Sequence, residues 1–217
     1  ILNFTKALAS LSYDEFVKQI LVYKQKVAHL ILGYDHRFGK NGEGNYEKIV
    51  PLSVKHHFKL HQLDEVRAGH AISSTRIRHA LKYGHVSEAG KMLGYPYQIR
   101  GKVIKGAQLG SKIGFPTANI DVSCPYKLIP GNGVYAGRVY LDNHTLPAML
   151  NIGYKPTVND AQVRNIEVHL INFEDDLYEQ EITVELLEKI REEVKFPSLK
   201  ALVSQLEKDK KNSLNVF

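Results

Sequence analysis

The chain contains one cysteine, Cys124, and no tryptophan in 217 residues. A single cysteine excludes an internal disulfide framework and fits a reducing compartment. No apolar run is long enough to cross a bilayer and no segment has the features of a secretory signal. The sequence therefore predicts a cytoplasmic protein without a membrane partner. The lack of tryptophan and of interleaved basic and aromatic residues argues against a platform for single-stranded nucleic acid.

What the chain does contain suits a small globular protein. Hydrophobic residues make up 43% of the sequence, which is ordinary for a protein with a packed core. The formal net charge of +6 suits an anionic ligand, either a nucleotide or a nucleic acid. The length allows one large domain or two small ones.

The most informative stretch is the loop at residues 110–120, GSKIGFPTANI. Gly110 and Gly114 permit backbone conformations and close approaches that other residues disfavour. Lys112 adds a positive charge between these glycines. A basic glycine loop of this kind is typical of a phosphate site, although glycine-rich loops are also common in proteins without one.

Two oxygen-bearing side chains follow the proline of this loop. Thr117 and Asn119 are separated by one residue, so on an extended chain they share a face. Neutral oxygens placed side by side suit Mg²⁺ that already carries phosphate groups. A β-turn that leads into a strand, with Asn119 as a turn residue, is the alternative interpretation.

The first ninety residues have the pattern of an α/β domain. Ser12 and Glu15 form a predicted capping box at the start of a helix. Residues 27–32 form an apolar run that predicts a strand buried on both faces of a parallel sheet, and residues 58–66 predict another strand. Ligands bind beyond the carboxyl ends of such strands, where residues 33–44 form a loop rich in glycine and charge.

A second candidate phosphate site lies at a predicted helix start. Ser73 or Ser74 caps a helix that runs through Leu81, and Gly84 is the expected stop. Hydroxyl groups, free backbone N–H groups and arginines at a helix start suit a phosphate, although plain capping explains the same residues. Ser87 is the predicted cap of a further short helix.

From residue 97 the pattern changes to short alternating strands, which predicts an antiparallel barrel or sandwich. The clearest strands are residues 133–141, 145–150, 163–173 and 181–190. Ser198 is the predicted cap of a final helix. The apolar face of that helix is predicted to contain Leu199, Leu202, Val203 and Leu206.

One of these strands carries a candidate catalytic base. The alternation predicts that Ile166, Val168 and Leu170 face one way, whereas Glu167, His169, Ile171 and Phe173 face the other. A carboxylate among apolar side chains is partly desolvated, which favours a role as a base. A surface glutamate is the alternative for Glu167, and His169 is interpreted as a hydrogen-bonded strand histidine.

Several motifs resemble those of a known enzyme family, and they occur in the same order. They are Gly114-Phe115-Pro116-Thr117-Ala118-Asn119, Asn151-Ile152-Gly153 with Lys155-Pro156-Thr157, Glu167-Val168-His169, Leu177-Tyr178, and Arg191-Glu192-Glu193-Val194-Lys195-Phe196. Together they resemble the kinase half of the bacterial bifunctional riboflavin kinase/FMN adenylyltransferase family. The resemblance covers residues 95–217.

The resemblance implies a small closed Greek-key barrel with a C-terminal helix that phosphorylates riboflavin to FMN with ATP and Mg²⁺. It implies Glu167 as the catalytic base and Thr117 and Asn119 as the residues that hold Mg²⁺ and nucleotide oxygens. Gly110, Lys112 and Gly114 would bind ATP. Arg191 and Phe196 would contribute to the flavin site, where Phe196 would stack on the isoalloxazine ring and Arg191 would pair with a phosphate.

Residues 1–94 resemble part of the FMN adenylyltransferase half of the same family, a Rossmann-like nucleotidyltransferase domain. The resemblance implies a flavin and nucleotide site at Gly33, Asp35, Phe38 and Gly39. It implies a phosphate site at Ser73, Ser74, Thr75 and Arg78. The chain begins with Ile1, and the family's first strand and His-x-Gly-His motif are absent. We therefore expect an incomplete first domain that does not complete adenylyl transfer.

The expected partners are small molecules, namely riboflavin, ATP and FMN. We expect no nucleic-acid partner, and a monomer or a weak homo-oligomer. A basic β-barrel module that binds RNA and a flavin-binding scaffold without catalysis are the two alternatives. Salt dependence distinguishes the first alternative, because RNA binding weakens steeply as salt rises whereas riboflavin binding does not.

Overall fold

The computed structural model describes residues 2–68, 70–106, 109–141, 144–155 and 163–217. The chain divides into two compact units, residues 1–71 and residues 72–217. Each unit has its own hydrophobic core. The motif residues Pro156 and Thr157 lie outside the described residues.

The first unit alternates helices with short strands. In chain order its elements are α1 (Lys6–Ala9), α2 (Tyr13–Glu15), a π-helix (Phe16–Lys24), β1 (His29–Gly33), a 3-10 helix (Lys40–Gly42), α3 (Tyr46–Lys55), β2 (Lys59–Leu63), β3 (Arg67–Ala68) and β4 (His70–Ala71). Ser12 and Glu15 form the predicted capping box at the start of α2. The capping chemistry is local, so it could be predicted from four residues.

Strands β1 and β2 pair in parallel, which confirms the predicted parallel arrangement. The prediction that the first strand is buried on both faces was wrong. Leu32 is buried, but its neighbour Ile31 is 60% exposed. The sheet has two strands among the described residues, and the apolar cluster around Val17 and Ile49 packs with the Leu30 and Leu32 side of it.

The second unit contains two helices, a six-stranded barrel and a final helix. Its elements are α4 (Ser74–Lys82), α5 (Val86–Leu93), β5 (Tyr97–Ile104), a 3-10 helix (Gly110–Ile113), β6 (Ala118–Asp121), β7 (Gly133–Leu141), β8 (His144–Lys155), β9 (Val163–Leu170), β10 (Glu181–Arg191) and α6 (Leu199–Leu214). The barrel is closed in the order β10-β5-β6-β9-β8-β7. The neighbouring order β10-β7-β8-β9 is that of a Greek key, as predicted.

The compact unit is larger than the kinase domain, residues 95–217, that the resemblance implies. Ala80, Leu81 and Ala89 belong to the same apolar cluster as Ile99 and Val184 of the barrel, so α4 and α5 pack with the barrel core. The predicted domain boundary at residues 94/95 therefore lies inside this unit, directly after α5.

The helix caps of this unit were predicted in part. Ser73 caps α4, where its hydroxyl accepts a hydrogen bond from the Arg76 amide at 3.3 Å. Ser87 is not a cap, because α5 begins at Val86 with His85 at the N-cap position. The reason is Gly84, which follows the end of α4 with a positive φ of 78° and reverses the chain two residues before Val86, the first residue of α5.

Strand β9 faces two different apolar layers. Ile166, Val168 and Leu170 point into the main core, as predicted. On the other side, a separate cluster contains Phe115, Met149 and Ile171, against which Val203 and Leu206 of α6 pack. This second cluster packs α6 against Ile171, the residue that directly follows β9, and against Met149 of β8.

Two predictions about this region were wrong. Phe173 packs with the main core rather than with the Glu167 side, because β9 ends at Leu170 and Asn172 takes a positive φ of 60°. Leu199 is 62% exposed at the start of α6 and does not belong to the buried face of that helix.

Candidate active site

Glu167 occupies the centre of a group of carboxamides on three strands. In the sheet register, Asn119 of β6 is its partner on one side and Asn151 of β8 is its partner on the other. Asn165, two residues earlier on β9, donates a hydrogen bond from Nδ2 to Glu167 Oε1 at 2.7 Å. The carboxylate is therefore held in one orientation by polar neighbours.

The glycine loop lies directly before β6 and is closed on itself. The backbone N–H of Phe115 donates to the Gly110 carbonyl at 2.9 Å, and Gly114 adopts the predicted positive φ, 82°. A Cβ at Gly110 would collide with the Phe115 carbonyl, and a Cβ at Gly106 would collide with the Asn119 amide. Glycine at these two positions allows the loop to pack closely on Thr117 and Asn119.

A cavity of about 310 Å³ brings together much of the predicted kinase site. The predicted site residues that line it are Gly110, Thr117, Glu167, Arg191 and Phe196. Most of its remaining wall is apolar. Such a cavity suits a flat apolar ring that carries a polar chain, with Glu167 and Thr117 available to the polar end.

The structure does not bring all of the predicted residues to this cavity. Asn119 is buried, 4% exposed, and is the register partner of Glu167, but it is not among the residues that line this cavity. Lys112 is exposed, and it lines no cavity described here, nor does Gly114. The positive charge of Lys112 and the left-handed turn at Gly114 therefore lie on the outer side of the loop, although the sequence predicted them as part of the phosphate site.

Arg191 is bound to a buried carboxylate. Its guanidinium donates to both carboxylate oxygens of Asp209 on α6, with Nη2–Oδ2 at 2.7 Å, and to the Glu192 carbonyl. Asp209 is fully buried and also accepts from Gln205 Nε2 at 2.8 Å. The Arg191 guanidinium lies 5.5 Å from the centre of the Phe196 ring, so it supports that ring at the cavity wall.

His169 lies two residues after Glu167 and also lines the cavity. Its Nδ1 is 2.7 Å from the Pro116 carbonyl, and its ring centre is 5.2 Å from that of Phe115. Burial is the main cause that lowers the pKa of His169 below its usual value. The predicted hydrogen-bonded strand histidine is therefore confirmed for Nδ1.

A second cavity of about 230 Å³ lies on the other side of Thr117. Pro116, Thr117, Asp175, Asp176 and Tyr178 are among the residues that line it. Thr117 is the one predicted site residue that lines both cavities.

Sequence reasoning did not assign a role to this acidic turn. The signal that it offered was positional, because residues 173–178 begin three positions after the last residue of β9, the strand that carries Glu167. The Lys105 ammonium group lies 5.7 Å from the Tyr178 ring centre, which adds a cation to this turn.

Two further groups of predicted residues belong to the adenylyltransferase resemblance. In the first unit, Phe38 and Gly39 line a cavity of about 620 Å³ with Arg37, whereas Gly33 ends β1 and Asp35 lies in the turn after it. Gly39 has a positive φ of 76°, and a Cβ there would collide with the backbone of Tyr13.

In the second unit, Ser73 is the N-cap of α4, and Ser74 and Thr75 form its first turn. Arg78 is exposed on the next turn. The Ser73 hydroxyl accepts the capping hydrogen bond, in agreement with the capping interpretation. A phosphate at this helix start would contact the same residues, so the phosphate interpretation stays a prediction.

Comparison with protein families gives two matches. The riboflavin kinase family model matches residues 93–217, and the FAD synthetase family model matches residues 1–76.

No helix in the described part of the chain has the length and apolar character to cross a membrane.

Individual relatives agree with these matches. The bifunctional riboflavin kinase/FMN adenylyltransferase of Listeria monocytogenes is 38% identical over 218 residues, which is 100% of this chain and 68% of that protein. The protein of the same name from Escherichia coli K12 is 36% identical over 99% of this chain and 68% of its own length. A crystal structure described as a macrolide-efflux protein from Streptococcus pneumoniae matches with a TM-score of 0.85 at 32% identity, over 99% of this chain and 68% of that one. The chain therefore belongs to the bifunctional riboflavin kinase/FMN adenylyltransferase family.

Proposed function

We propose that the barrel unit transfers the γ-phosphoryl group of ATP to the terminal hydroxyl of the riboflavin ribityl chain. One observation carries this proposal. Thr117 lines both cavities, and Glu167 lines the first of them. An acceptor alcohol in one cavity and a triphosphate in the other therefore meet beside a carboxylate.

The lining of each cavity supports a different ligand. The first cavity is mainly apolar and includes Phe196, which suits the isoalloxazine ring, and its polar end at Glu167 suits the ribityl hydroxyls. The second includes Tyr178, which suits stacking with an adenine base, and the carboxylates of Asp175 and Asp176 are acceptors for the adenine amino group. The triphosphate would then extend toward Thr117.

The residues around Thr117 and Asn119 fit a metal-bound nucleotide. Their side-chain oxygens are neutral and hard, and the lack of a Cβ at Gly106 and Gly110 lets the loop backbone pack directly against the Asn119 amide and the Phe115 carbonyl. Thr117 and Asn119 are the residues that we propose to hold Mg²⁺. When bound, Mg²⁺ would reduce the negative charge that develops on the phosphate oxygens.

The proposed chemistry is an in-line displacement. The ribityl hydroxyl oxygen forms a bond to the γ-phosphorus of ATP, while the bond from that phosphorus to the bridging oxygen of ADP breaks. Glu167 accepts the hydroxyl proton, and Asn165 fixes the plane of the carboxylate through its bond to Oε1. The products are FMN and ADP, with the proton on Glu167 before its release to solvent.

Arg191 has a different proposed role from the one that the sequence suggested. Because its guanidinium is bound to the Asp209 carboxylate, its charge is already compensated. We propose that Arg191 contributes to flavin binding by supporting the Phe196 ring, and not by pairing with a phosphate.

For adenylyl transfer, the relatives' names indicate that FMN is the second substrate of the family. We propose that the cavity lined by Phe38 and Gly39 receives the flavin ring, with Gly33 and Asp35 shaping the turn before it. We propose that Ser73, Ser74, Thr75 and Arg78 contact nucleotide phosphates at the start of α4.

Incubation of the chain with riboflavin, ATP and Mg²⁺, followed by chromatography, tests the proposal. We expect FMN and ADP in equal amounts. Tight riboflavin binding without ADP would identify the inactive scaffold instead. Binding of an RNA oligonucleotide that weakens steeply with salt, in a chain that forms no FMN, would favour the RNA-binding alternative. Sedimentation of the same sample tests the expected monomer or weak homo-oligomer.

A further inference from the structure

The short segment that carries Thr117 is attached to β9 in an unusual way. The β6–β9 ladder consists of two pairs, Ala118 with Val168 and Asn119 with Glu167. The next pair in this antiparallel register would be Thr117 with His169. The ladder ends before it, and the preceding residue is Pro116, which has no N–H to donate.

A side chain replaces the missing ladder bond at this point. The Nδ1 of His169 lies 2.7 Å from the Pro116 carbonyl oxygen, which is part of the peptide group that connects Pro116 to Thr117. A carbonyl oxygen only accepts hydrogen bonds, so Nδ1 carries the proton and donates. The imidazole thus fixes the peptide plane from which the Thr117 side chain projects.

The surroundings of the imidazole favour this one tautomer. His169 is 7% exposed, and its ring packs against Phe115 near the apolar cluster that contains Met149 and Ile171. Its Nε2 is buried without a hydrogen-bond partner among the described residues. A proton on Nε2 would be a buried donor without an acceptor, whereas an unprotonated Nε2 leaves only a lone pair unused.

We propose that His169 is a positioning residue for nucleotide binding, acting through the Pro116 carbonyl to hold Thr117 at the boundary between the two cavities. The proposal rests on the proposed kinase function. It differs from a role as a second base, because Nε2, the ring nitrogen that would have to accept a proton, is buried. It predicts that the donor at the Nδ1 position is needed, and that the imidazole as such is not.

Three substitutions separate these requirements. In His169→Asn the side-chain Nδ2 branches from Cγ where Nδ1 does in histidine, so the donor to Pro116 is retained. In His169→Gln the amide lies at the place of Nε2, and in His169→Leu no donor remains. We expect His169→Asn to bind MgADP within about twofold of wild type. We expect His169→Gln and His169→Leu to weaken MgADP binding about tenfold, the change produced by one ordinary hydrogen bond.

The measurements are calorimetric Kd values for MgADP and steady-state KM values for ATP and riboflavin. His144→Gln, at an exposed histidine at the start of β8, is the matched control and should leave both unchanged. A kcat loss with unchanged MgADP affinity in His169→Leu would overturn the positioning role, and so would equal losses in His169→Asn and His169→Leu.

Nitrogen-15 NMR of the wild-type imidazole tests the proposal without any variant. We expect the His169 proton on Nδ1 and an unprotonated Nε2 at neutral pH. A proton on Nε2 would overturn the proposal even if every substitution at His169 unfolded the chain. Wild-type protein that shows the Nδ1 tautomer but binds no MgADP and forms no FMN would instead contradict the proposed kinase function.

Discussion

Asn119 and Glu167 are direct partners in the antiparallel register of β6 and β9. Directly opposed residues have Cβ atoms about 4.5–5.5 Å apart, so the proposed metal ligand and the proposed base share one short span of barrel wall. Thr117 lies two residues before Asn119, where the ladder has already ended. A strand of the barrel thus holds the proposed catalytic base, Glu167, and the glycine loop places Thr117 beside it.

Replacement of Glu167 by glutamine should abolish most turnover while substrate affinity persists. The amide is nearly the same size and retains an oxygen that can accept the Asn165 hydrogen bond, but it does not take up a proton. We expect kcat to fall by about 100- to 10,000-fold, the range for loss of a general base, with KM for ATP and riboflavin little changed. Glu188→Gln, on the exposed side of β10, is the control. A kcat near that of wild type in Glu167→Gln would remove Glu167 from the mechanism.

Replacement of Asn119 by alanine should weaken the use of Mg²⁺ more than the binding of flavin. We expect the Mg²⁺ concentration for half-maximal rate to rise about tenfold, because one oxygen ligand is lost. Asn151→Ala removes the carboxamide on the other side of Glu167 and should change the riboflavin KM instead. Unchanged Mg²⁺ dependence in a folded Asn119→Ala variant contradicts the metal assignment.

The assignment of the two cavities predicts that two aromatic substitutions affect different substrates. Tyr178→Ala should raise the KM for ATP, and Phe196→Ala should raise the KM for riboflavin. Each increase is expected to be about tenfold, since base or ring stacking on an aromatic side chain contributes about 1–3 kcal/mol. If Tyr178→Ala affected riboflavin alone, the assignment of the cavities would have to be reversed.

The Arg191–Asp209 pair should be a large contributor to the integrity of the flavin cavity. Asp209→Ala leaves the Arg191 guanidinium largely buried without its carboxylate, and we expect a loss of about 3–5 kcal/mol in the free energy of unfolding. Urea unfolding measures this loss. The double variant Arg191→Met with Asp209→Leu should recover much of it, because no unpaired charge remains. A loss below about 1 kcal/mol in Asp209→Ala would show that the pair has little structural role.

The parts of the structure that the sequence predicted well depend on local chemistry. The caps at Ser12, Ser73 and Ser198 involve hydrogen bonds to residues three positions away, so short patterns contain the necessary information. The turn glycine at 114 and the inward alternation of β9 are predictable for the same reason. Ser87 misled the prediction, because the reversal at Gly84 fixed the start of α5 before any cap chemistry could.

The parts that the sequence did not reveal depend on distant contacts. The Arg191–Asp209 pair joins residues 18 positions apart on different elements, and the His169–Pro116 bond joins residues 53 apart. The exposure of Ile31 depends on how many strands and helices cover the sheet, and the apolar run at residues 27–32 contains no information about them. The proposed role of the turn that ends at Tyr178 depends on the barrel, which brings this turn and Thr117 to the same cavity.

A crystal structure of the chain with MgADP and riboflavin is the decisive test of the proposed kinase site. We expect the riboflavin ring in the cavity lined by Phe196, with the terminal ribityl hydroxyl about 3 Å from the Glu167 carboxylate. We expect ADP in the cavity lined by Tyr178, with its β-phosphate next to Thr117. A ribityl hydroxyl that points away from Glu167, or a nucleotide that occupies the Phe196 cavity, would refute the proposed site.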